Sequence, residues 1–273
     1  MHFQKETTQQ KETYVVLPPP VQIQPCTLRL PKLVLKSSAY LAIPEESATK
    51  LQLETLLHDR CSSKKMNFFN RKMMYDPYYE KVYIRNAWMY KVPLLFALLE
   101  GISFDKIVDL RKPVTHMPAR ISIRKTFQLR DHQIKVHPLA MKWLNQAPYH
   151  ATTICKACGA GKTIQASHII GTLRVRTFIP VPTIDLAPQF KEELQVVMNL
   201  RESDIQLIGS YFPPPKPNAW IYICVYNSAM TTSCYETKYA SILQSCDLLV
   251  VDECHMFPAK QVRSILCNFH GKY

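Results

Sequence analysis

A loop of small residues between an apolar run and a helical pattern is the first candidate site for chemistry. Thr152–Cys155 is typical of a short strand, and Gly159 and Gly161 then precede Lys162 and Thr163. Glycines let the backbone turn so that several N–H groups face one anion, and the positive end of the following helix adds to that attraction. In such a loop Lys162 would reach the β- and γ-phosphates of a nucleotide, and the Thr163 hydroxyl would bind Mg²⁺.

One position departs from the usual phosphate-loop pattern. Lys156 stands where that pattern has its first glycine, so a strand-to-helix turn that contains Gly-Lys-Thr by chance is the alternative. The surrounding strand, loop and helix favour the phosphate loop. Cys155 and Cys158 form a Cys-x-x-Cys pair here, but a zinc site would need a second pair and a redox motif would stand at a helix start. We therefore expect an ordinary strand end and an ordinary loop residue.

Two adjacent carboxylates follow a second apolar run. Leu248–Val251 is typical of a strand that is buried on both faces, and Asp252 and Glu253 come directly after it. They would lie at the carboxyl edge of the sheet, where α/β proteins bind ligands. Asp252 can hold Mg²⁺ through water, and Glu253 can activate an attacking water. A solvated acidic turn is the alternative, and the upstream phosphate loop favours the catalytic interpretation.

Short apolar runs alternate with amphipathic patterns from about residue 126 onwards. This alternation predicts an α/β fold, in which a parallel sheet carries helices on both faces. The predicted helices include Thr163–Ile170 and Ala187–Leu200. The predicted strands are Thr152–Cys155, Thr177–Ile179, Ile221–Val225 and Leu248–Val251.

The order and spacing of the two motifs resemble the first motor lobe of superfamily 2 helicases and translocases, the DEAD/DEAH-like group. Residues 157–163 resemble motif I in the Cys-Gly-x-Gly-Lys form, which is similar to that of XPB-like repair helicases and helicases of large DNA viruses. Residues 252–255 resemble motif II in the DExH form. The resemblance covers residues 126–273. It implies a RecA-like phosphate-loop fold, ATP and Mg²⁺ as cofactors, and ATP hydrolysis coupled to the remodelling of nucleic acid.

The resemblance assigns roles to the residues of these motifs. Lys162, Asp252 and Glu253 would be catalytic, and Thr163 and Asp252 would hold Mg²⁺. His255 would couple the nucleotide to the rest of the protein.

A further element implied by the resemblance precedes motif I. Leu129–Gln133 resembles the LRxYQ element, and the Gln133 amide would read the adenine edge because it both donates and accepts hydrogen bonds. The residues implied in ATP binding are then Gln133, Ala157, Cys158, Gly159, Ala160, Gly161, Lys162 and Thr163.

Two more segments resemble the motifs that contact nucleic acid in this group. Residues 182–189 resemble motif Ia, with Pro188 as a departure that delays the predicted helix to about Ala187. Residues 225–229 resemble the short motif written TYxSA. The implied nucleic-acid-binding residues are Pro182, Thr183, Gln189, Asn227 and Ser228.

Composition narrows the class of protein. The 273 residues are 47% apolar and 20% charged, which excludes wholesale disorder. The formal charge of +13 favours a polyanionic partner, with nucleic acid ahead of an anionic membrane. We expect no membrane span and no secretory signal, because no apolar run has the required length. The nine scattered cysteines indicate reduced thiols, as in the cytoplasm or nucleus, and leave a viral source open.

The first half of the chain predicts a separate unit. Residues 1–30 include Pro18–Pro20 and indicate a flexible tail, and residues 31–125 predict a small α+β accessory domain. Its strands would include 32–36, 40–43 and 81–85, its helix would run from Pro44 to about His58, and residues 87–99 could form a helix or a buried strand. Residues 1–125 carry 20 of the 34 basic residues but 11 of the 21 acidic ones.

Basic and aromatic residues interleave between Lys64 and Lys91. Phosphates attract the cations and unstacked bases attract the rings, so this unit could bind nucleic acid, as accessory domains of phage and repair relatives do. The alternative is a domain with core aromatics and solvated charges.

Two other functions also stay open for the chain, a phosphate-loop ATPase of another class and a non-enzymatic nucleic-acid-binding module. The motif I form and the accessory domain favour DNA over RNA.

The sequence up to Tyr273 contains nothing that resembles motif III or the motifs of a second RecA-like lobe. We therefore expect residues 126–273 to be a first lobe truncated before motif III. The second lobe would supply an arginine finger, so this lobe alone should hydrolyse ATP slowly.

Overall fold

In a computed structural model of the chain, the described strands form separate sheets before and after residue 125. We call the described residues between 29 and 109 the N-terminal unit and the described residues between 126 and 273 the C-terminal unit. Residues 111–125, which connect them in the sequence, are called the strap. The structure describes residues 29–30, 33–35, 40–45, 50–66, 73–84, 86–93, 103–104, 107–109, 111–147, 150–229, 238–254, 265–266 and 268–273. The predicted tail lies almost entirely outside these ranges, as does the predicted coupling residue His255.

The N-terminal unit is an α+β arrangement. Its sheet has the order β6–β7–β3–β2–β9, with β2 and β9 parallel and the other neighbours antiparallel. Two smaller pairs are β1 with β8 and β4 with β5. Its elements are β1 (Arg29–Leu30), β2 (Leu33–Leu35), β3 (Tyr40–Pro44), α1 (Lys50–Arg60), β4 (Ser62–Met66), β5 (Met73–Pro77), β6 (Glu80–Ile84), β7 (Ala87–Pro93), β8 (Ser103–Phe104) and β9 (Ile107–Asp109).

The structure contradicts one prediction for this unit and decides between the alternatives of a second. The helix was expected to begin at Pro44, but Pro44 ends β3 and the described helix runs from Lys50. The sheet pairing continues past Pro44, because Glu45 N–H donates to the Trp88 carbonyl of β7 at 2.9 Å. The ambiguous segment 87–99 forms a strand as far as Pro93, and its remainder lies outside the described residues. Leu53 and Leu57, one turn apart on α1, are both buried and form the inward face of the helix.

The C-terminal unit is built around a parallel sheet with the order β11–β12–β10–β13. All five residues of β10 and of β12 are buried, as expected for central strands covered on both faces. Its elements are α2 (Asp131–Leu144), α3 (Lys162–Leu173), β10 (Thr177–Val181), α4 (Leu186–Val197), a 3₁₀ turn (Glu202–Asp204), β11 (Ile205–Ile208), β12 (Ile221–Val225), α5 (Tyr226–Ala229), α6 (Lys238–Ser245) and β13 (Leu248–Leu249).

Helices cover both faces of this sheet, which confirms the predicted fold class. Alternate residues of a strand point to opposite faces, and the two faces belong to two different apolar clusters. One cluster joins Ile179 and Ile223 to the buried side of α4. The other joins Phe178 and Tyr222 to α6 and Phe269. Among the described residues, no helix has the length and apolar content that a membrane span requires.

The strand predicted ahead of the phosphate loop is absent from the described part of this sheet. Residues 151–157 have no strand assignment, so the expectation for Thr152–Cys155 is wrong for this structure. A strand needs a neighbouring backbone to complete its hydrogen bonds. The free side of β13 is instead paired with Tyr273, whose N–H donates to the Asp247 carbonyl at 2.8 Å and whose carbonyl accepts from Leu249 N–H at 2.9 Å.

The strap is fastened to the amino edge of the parallel sheet. Thr115 N–H donates to the buried Asp247 carboxylate at 2.9 Å, and Lys112 Nζ lies 3.1 Å from the same carboxylate. Met117 N–H donates to the Arg174 carbonyl just before β10 at 2.7 Å. Arg120 forms two hydrogen bonds of 2.6 Å to Asp204, which precedes β11. Each contact lies before a strand, at the end of the sheet opposite to the predicted site.

Candidate nucleotide-binding site

The carboxyl edge of the sheet gathers the predicted motifs. Val181 pairs with Val225, so the segments after β10 and β12 leave the sheet side by side. Thr177 pairs with Leu248, which brings the segment after β13 to the same edge. Residues 182–189, 226–229 and 252–254 are therefore neighbours because parallel strands end together.

The phosphate loop has the backbone geometry that its glycines permit. Gly159 and Gly161 have φ angles of 75° and 70°, and Gly161 caps α3. The positive φ of Gly161 is one that residues with a side chain rarely adopt, and a Cβ there would also lie 2.7 Å from Gln133 Nε2, so the glutamine side chain would have to shift. Lys162 and Thr163 begin α3 and are half-buried, with Lys162 Nζ 3.5 Å from the Lys156 carbonyl. The loop residues Ala157, Cys158 and Gly159 are exposed, and Ala160 is half-buried.

Gln133 is joined to the phosphate loop. Its side chain is buried, its Nε2 donates to the Gly161 carbonyl at 3.1 Å, and its Oε1 accepts from Arg130 N–H at 3.0 Å. The neighbouring His132 places Nε2 3.1 Å from the Ala160 carbonyl. The start of α2 therefore supports the loop directly. Reading of the adenine edge by Gln133 stays a prediction.

Lys156, the residue that departs from the usual pattern, contacts α3. Its Nζ donates to Gln165 Oε1 at 3.1 Å, and burial lowers the pKa of Lys156. Its side chain thus supports the helix that begins at the phosphate loop.

Cys155 and Cys158 are both free and exposed. Within the described ranges, no group of three or more His, Cys, Asp or Glu residues could hold a metal ion by itself.

Asp252 and Glu253 form a turn with unusual backbone geometry. Glu253 has a φ of 51°, a left-handed conformation that costs a residue with a side chain about 1–2 kcal/mol. Asp252 is half-buried, and this burial raises the pKa of its carboxyl, while the Lys162 charge opposes that rise. The positive charge of Lys162, from the phosphate loop, thus acts on the carboxyl of Asp252.

The side chains at this edge fit a magnesium ion held together with a nucleotide. Mg²⁺ prefers oxygen ligands and is usually held by one or two protein groups, substrate phosphates and water. The Thr163 hydroxyl and the Asp252 carboxylate are ligands of this kind. A cation beside Asp252 would also stabilise a carboxylate that burial otherwise disfavours.

The residues predicted to contact nucleic acid surround the same edge. Thr183, Gln189 and Asn227 are exposed, and Pro182 and Ser228 are half-buried. Helix α4 begins at Leu186, one residue from the predicted start, and accommodates Pro188 in its first turn.

Sequence reasoning did not identify Tyr226 as a site residue. Tyr226 follows β12 directly, is buried, and donates its hydroxyl hydrogen to the Asp252 carbonyl. Burial is the largest cause of the raised pKa of Tyr226, and the charges of Asp252, Cys254 and Glu253 add to it. The aromatic residue within the segment that resembles TYxSA was the available signal.

Comparisons with known proteins agree with this geometry. The DNA 3'-5' translocase XPB2 of Sulfurisphaera tokodaii is 30% identical over 138 residues, which is 50% of this chain and 27% of that protein. The chain thus spans about a quarter of the length of this curated relative. The crystal structure of the UvsW helicase from bacteriophage T4 has a TM-score of 0.55 at 12% identity over 88% of both chains. A second T4 UvsW structure has a TM-score of 0.55 at 13% identity over 88% of this chain and 50% of that one.

The structural similarity, at such low identity, shows the fold. A family model described as "Type III restriction enzyme, res subunit" matches residues 126–273, more than half of the chain. The chain therefore belongs to this family, among the superfamily 2 helicases and translocases that its motifs resemble.

Proposed function

We propose that this chain is the ATP-binding part of a superfamily 2 helicase or translocase, which couples ATP hydrolysis to the remodelling of DNA or RNA. The observation that carries the proposal is that Asp252, which follows β13 at the carboxyl edge of the parallel sheet, experiences the positive charge of Lys162 from the phosphate loop. Residues of the two segments that resemble nucleic-acid motifs lie along the same edge. One surface can therefore sense both ligands.

The chemistry follows from the placement of the side chains. When bound, MgATP supplies the phosphate bond that is cleaved and a metal charge that neutralises the transferred phosphoryl group. Lys162 and the amino end of α3 attract the phosphates, Thr163 and Asp252 would hold the metal, and Glu253 would orient the attacking water. The Gln133 contact with Gly161 restrains the end of the phosphate loop.

Nucleic acid is the proposed partner, and DNA is favoured over RNA. The charge of +13 supports a polyanion, and the curated relative is named as a DNA translocase. Cys155, Cys158, Cys246 and Cys254 are free thiols, which supports a reducing compartment such as the cytoplasm or nucleus, including that of a virus-infected cell.

A second RecA-like lobe is part of the proposed working state. The residues assigned to ATP all come from one lobe, so an arginine from another lobe would complete the charge around the phosphates. We define the two-lobe form as this chain together with such a lobe, joined in one polypeptide or added separately.

ATP hydrolysis with and without nucleic acid tests the proposal. We expect single-stranded or duplex DNA to stimulate turnover by the two-lobe form more than RNA does. We expect Lys162→Ala to abolish ATP binding and turnover because the loop loses its phosphate cation. Lys142→Ala, on the exposed side of α2, is the matched control and should behave as the parent.

Two results would favour the other functions. Turnover that ignores every nucleic acid would indicate a phosphate-loop ATPase of another class. Salt-sensitive nucleic-acid binding without ATP binding or turnover would indicate a non-enzymatic binding module.

The N-terminal unit offers a second nucleic-acid contact. Tyr83 and Trp88 face each other on β6 and β7, with ring centroids 5.2 Å apart, and they are 61% and 51% exposed. Lys81 Nζ lies 5.4 Å from the centre of the Trp88 ring and pairs with Glu45 at 2.9 Å. Two exposed rings beside a cation can stack against unpaired bases. We therefore include single-stranded nucleic-acid binding by this unit in the proposal.

Removing either ring should weaken binding to single-stranded DNA. We expect Tyr83→Ala and Trp88→Ala each to raise the Kd about 5- to 100-fold, since a base–aromatic stack is worth about 1–3 kcal/mol. The measurement is a fluorescence anisotropy titration with labelled oligothymidine at fixed salt. Trp143→Ala, which removes a 46% exposed tryptophan of α2, is the control. Equal affinities for all four proteins would assign the two rings to another role.

A further inference from the structure

Tyr226 connects the segment that resembles a nucleic-acid motif to the acidic turn. Its backbone begins α5, the turn that also carries Asn227 and Ser228. Its ring is buried at the end of β12, and its hydroxyl donates to the Asp252 carbonyl. One residue therefore belongs to the first segment and is bonded to the second.

The bond reaches the peptide group that precedes Glu253, the residue proposed to orient the attacking water. The Asp252 carbonyl belongs to the peptide that links Asp252 to Glu253, and Glu253 has the left-handed φ of 51°. The Asp252 side chain also accepts a hydrogen bond from Glu253 N–H at 3.1 Å. The orientation of this peptide decides where the Glu253 carboxylate points. Unusual backbone angles of this kind persist where surrounding contacts hold them.

The turn that begins at Tyr226 is accessible to a ligand through the residues that follow the buried ring. Asn227 is exposed and Ser228 is half-buried, at the edge where Thr183 is also exposed. A backbone phosphate that contacts this turn would shift or restrain the residue that precedes Asn227. The Tyr226 ring is enclosed in the apolar cluster of Phe178, Tyr222 and Leu243. A restraint on the turn is therefore transmitted to the hydroxyl rather than lost in side-chain motion.

We propose that Tyr226 is a positioning residue, through which contact of nucleic acid with the Tyr226–Ala229 turn orders the Asp252–Glu253 peptide. The proposal rests on the function proposed above and adds the residue that would link its two ligands. Tyr226 touches neither ATP nor nucleic acid in this scheme. It would change the rate of hydrolysis without changing the affinity for either ligand.

The test is the substitution Tyr226→Phe, which removes the hydroxyl and keeps the ring in the core. In the two-lobe form at saturating ATP, we expect the stimulation by single-stranded DNA to fall about tenfold, as for the loss of one hydrogen bond to a buried group. The KM for ATP and the Kd for DNA should equal the parental values. Tyr211→Phe, at an 85% exposed tyrosine of the same unit, is the matched control.

A second variant separates transmission from a local structural effect. Asn227→Ala should lower the stimulation, and combining it with Tyr226→Phe should cause no further loss if both act along one route. Additive losses would overturn the proposal, as would an unchanged stimulation ratio in Tyr226→Phe. A parental protein that neither DNA nor RNA stimulates would overturn the proposed function together with this inference. A stimulated parent with an unchanged variant would overturn this inference alone.

Discussion

Glu253→Gln is expected to lower ATP hydrolysis by the two-lobe form about 10²–10⁴-fold, the usual contribution of a general base. The amide keeps the size of the side chain but cannot attract the proton of the attacking water. ATP binding should persist because Lys162 and the amino end of α3 are unchanged. The measurement is phosphate release at saturating ATP, together with the Kd of a fluorescent ATP analogue.

The matched control for this substitution is Glu192→Gln. Glu192 is an exposed glutamate of α4, so its loss changes the same charge away from the acidic turn. We expect parental hydrolysis from this control. A Glu253→Gln protein that hydrolyses ATP at the parental rate would remove Glu253 from the mechanism, and Asp252 would then be the acidic residue to test.

The largest expected effect on stability comes from Asp204→Ala. Asp204 is buried, accepts two hydrogen bonds of 2.6 Å from Arg120 in the strap, and accepts a third of 2.8 Å from Arg201 N–H. Losing hydrogen bonds to a charged group costs about 1.5–3 kcal/mol, and we expect a loss in this range because the exposed Arg120 guanidinium is solvated once Asp204 is gone. Urea unfolding at pH 7 measures the difference. Asp185→Ala, at an exposed aspartate with no side-chain cap bond, should stay within about 0.5 kcal/mol of the parent.

The same substitution has a predictable dependence on pH. The hydrogen bonds from Arg120 lower the pKa of Asp204 below its ordinary value of 3.8, although burial opposes them. A carboxyl with a lowered folded-state pKa stabilises the fold fully above its unfolded-state pKa, and this stabilisation disappears as the pH falls through the folded-state pKa. The gap between parent and Asp204→Ala should therefore be constant from pH 7 to about pH 5 and shrink below about pH 4. A gap that does not depend on pH would show that the charge of Asp204 is not the cause.

Much of the C-terminal unit could be predicted because its signals are local. Ile221–Val225 is apolar throughout, and the strand has the predicted bounds. The placement of Asp252 at the carboxyl edge also followed from the sequence, because the apolar run before it forms β13 of the parallel sheet. Strand β11 was missed because Ile205–Ile208 is short and contains a glutamine.

The features that the sequence did not predict depend on residues that are distant along the chain. Thr152–Cys155 has the composition of a strand, but a ladder depends on the backbone beside it, and Tyr273 occupies the free side of β13. The hydroxyl of Tyr226 finds the Asp252 carbonyl 26 residues further along the chain. Likewise, the Gln133 amide bonds to Gly161, 28 residues away. No periodicity within one segment contains such information.

The strap has a consequence for how the two units could be recombined. A free linker of about 15 residues would let its ends wander over about 20 Å, but residues 112–124 are anchored to the C-terminal unit by Asp247, Arg174, Asp204 and Val197. A foreign unit that is grafted at residue 126 would lose these anchors, and its orientation relative to the sheet would not be fixed. A graft made at residue 110 would inherit them. The better fusion point for chimeras is therefore ahead of the strap. A domain fused there would be connected, through the anchored strap, to the amino edge of the sheet.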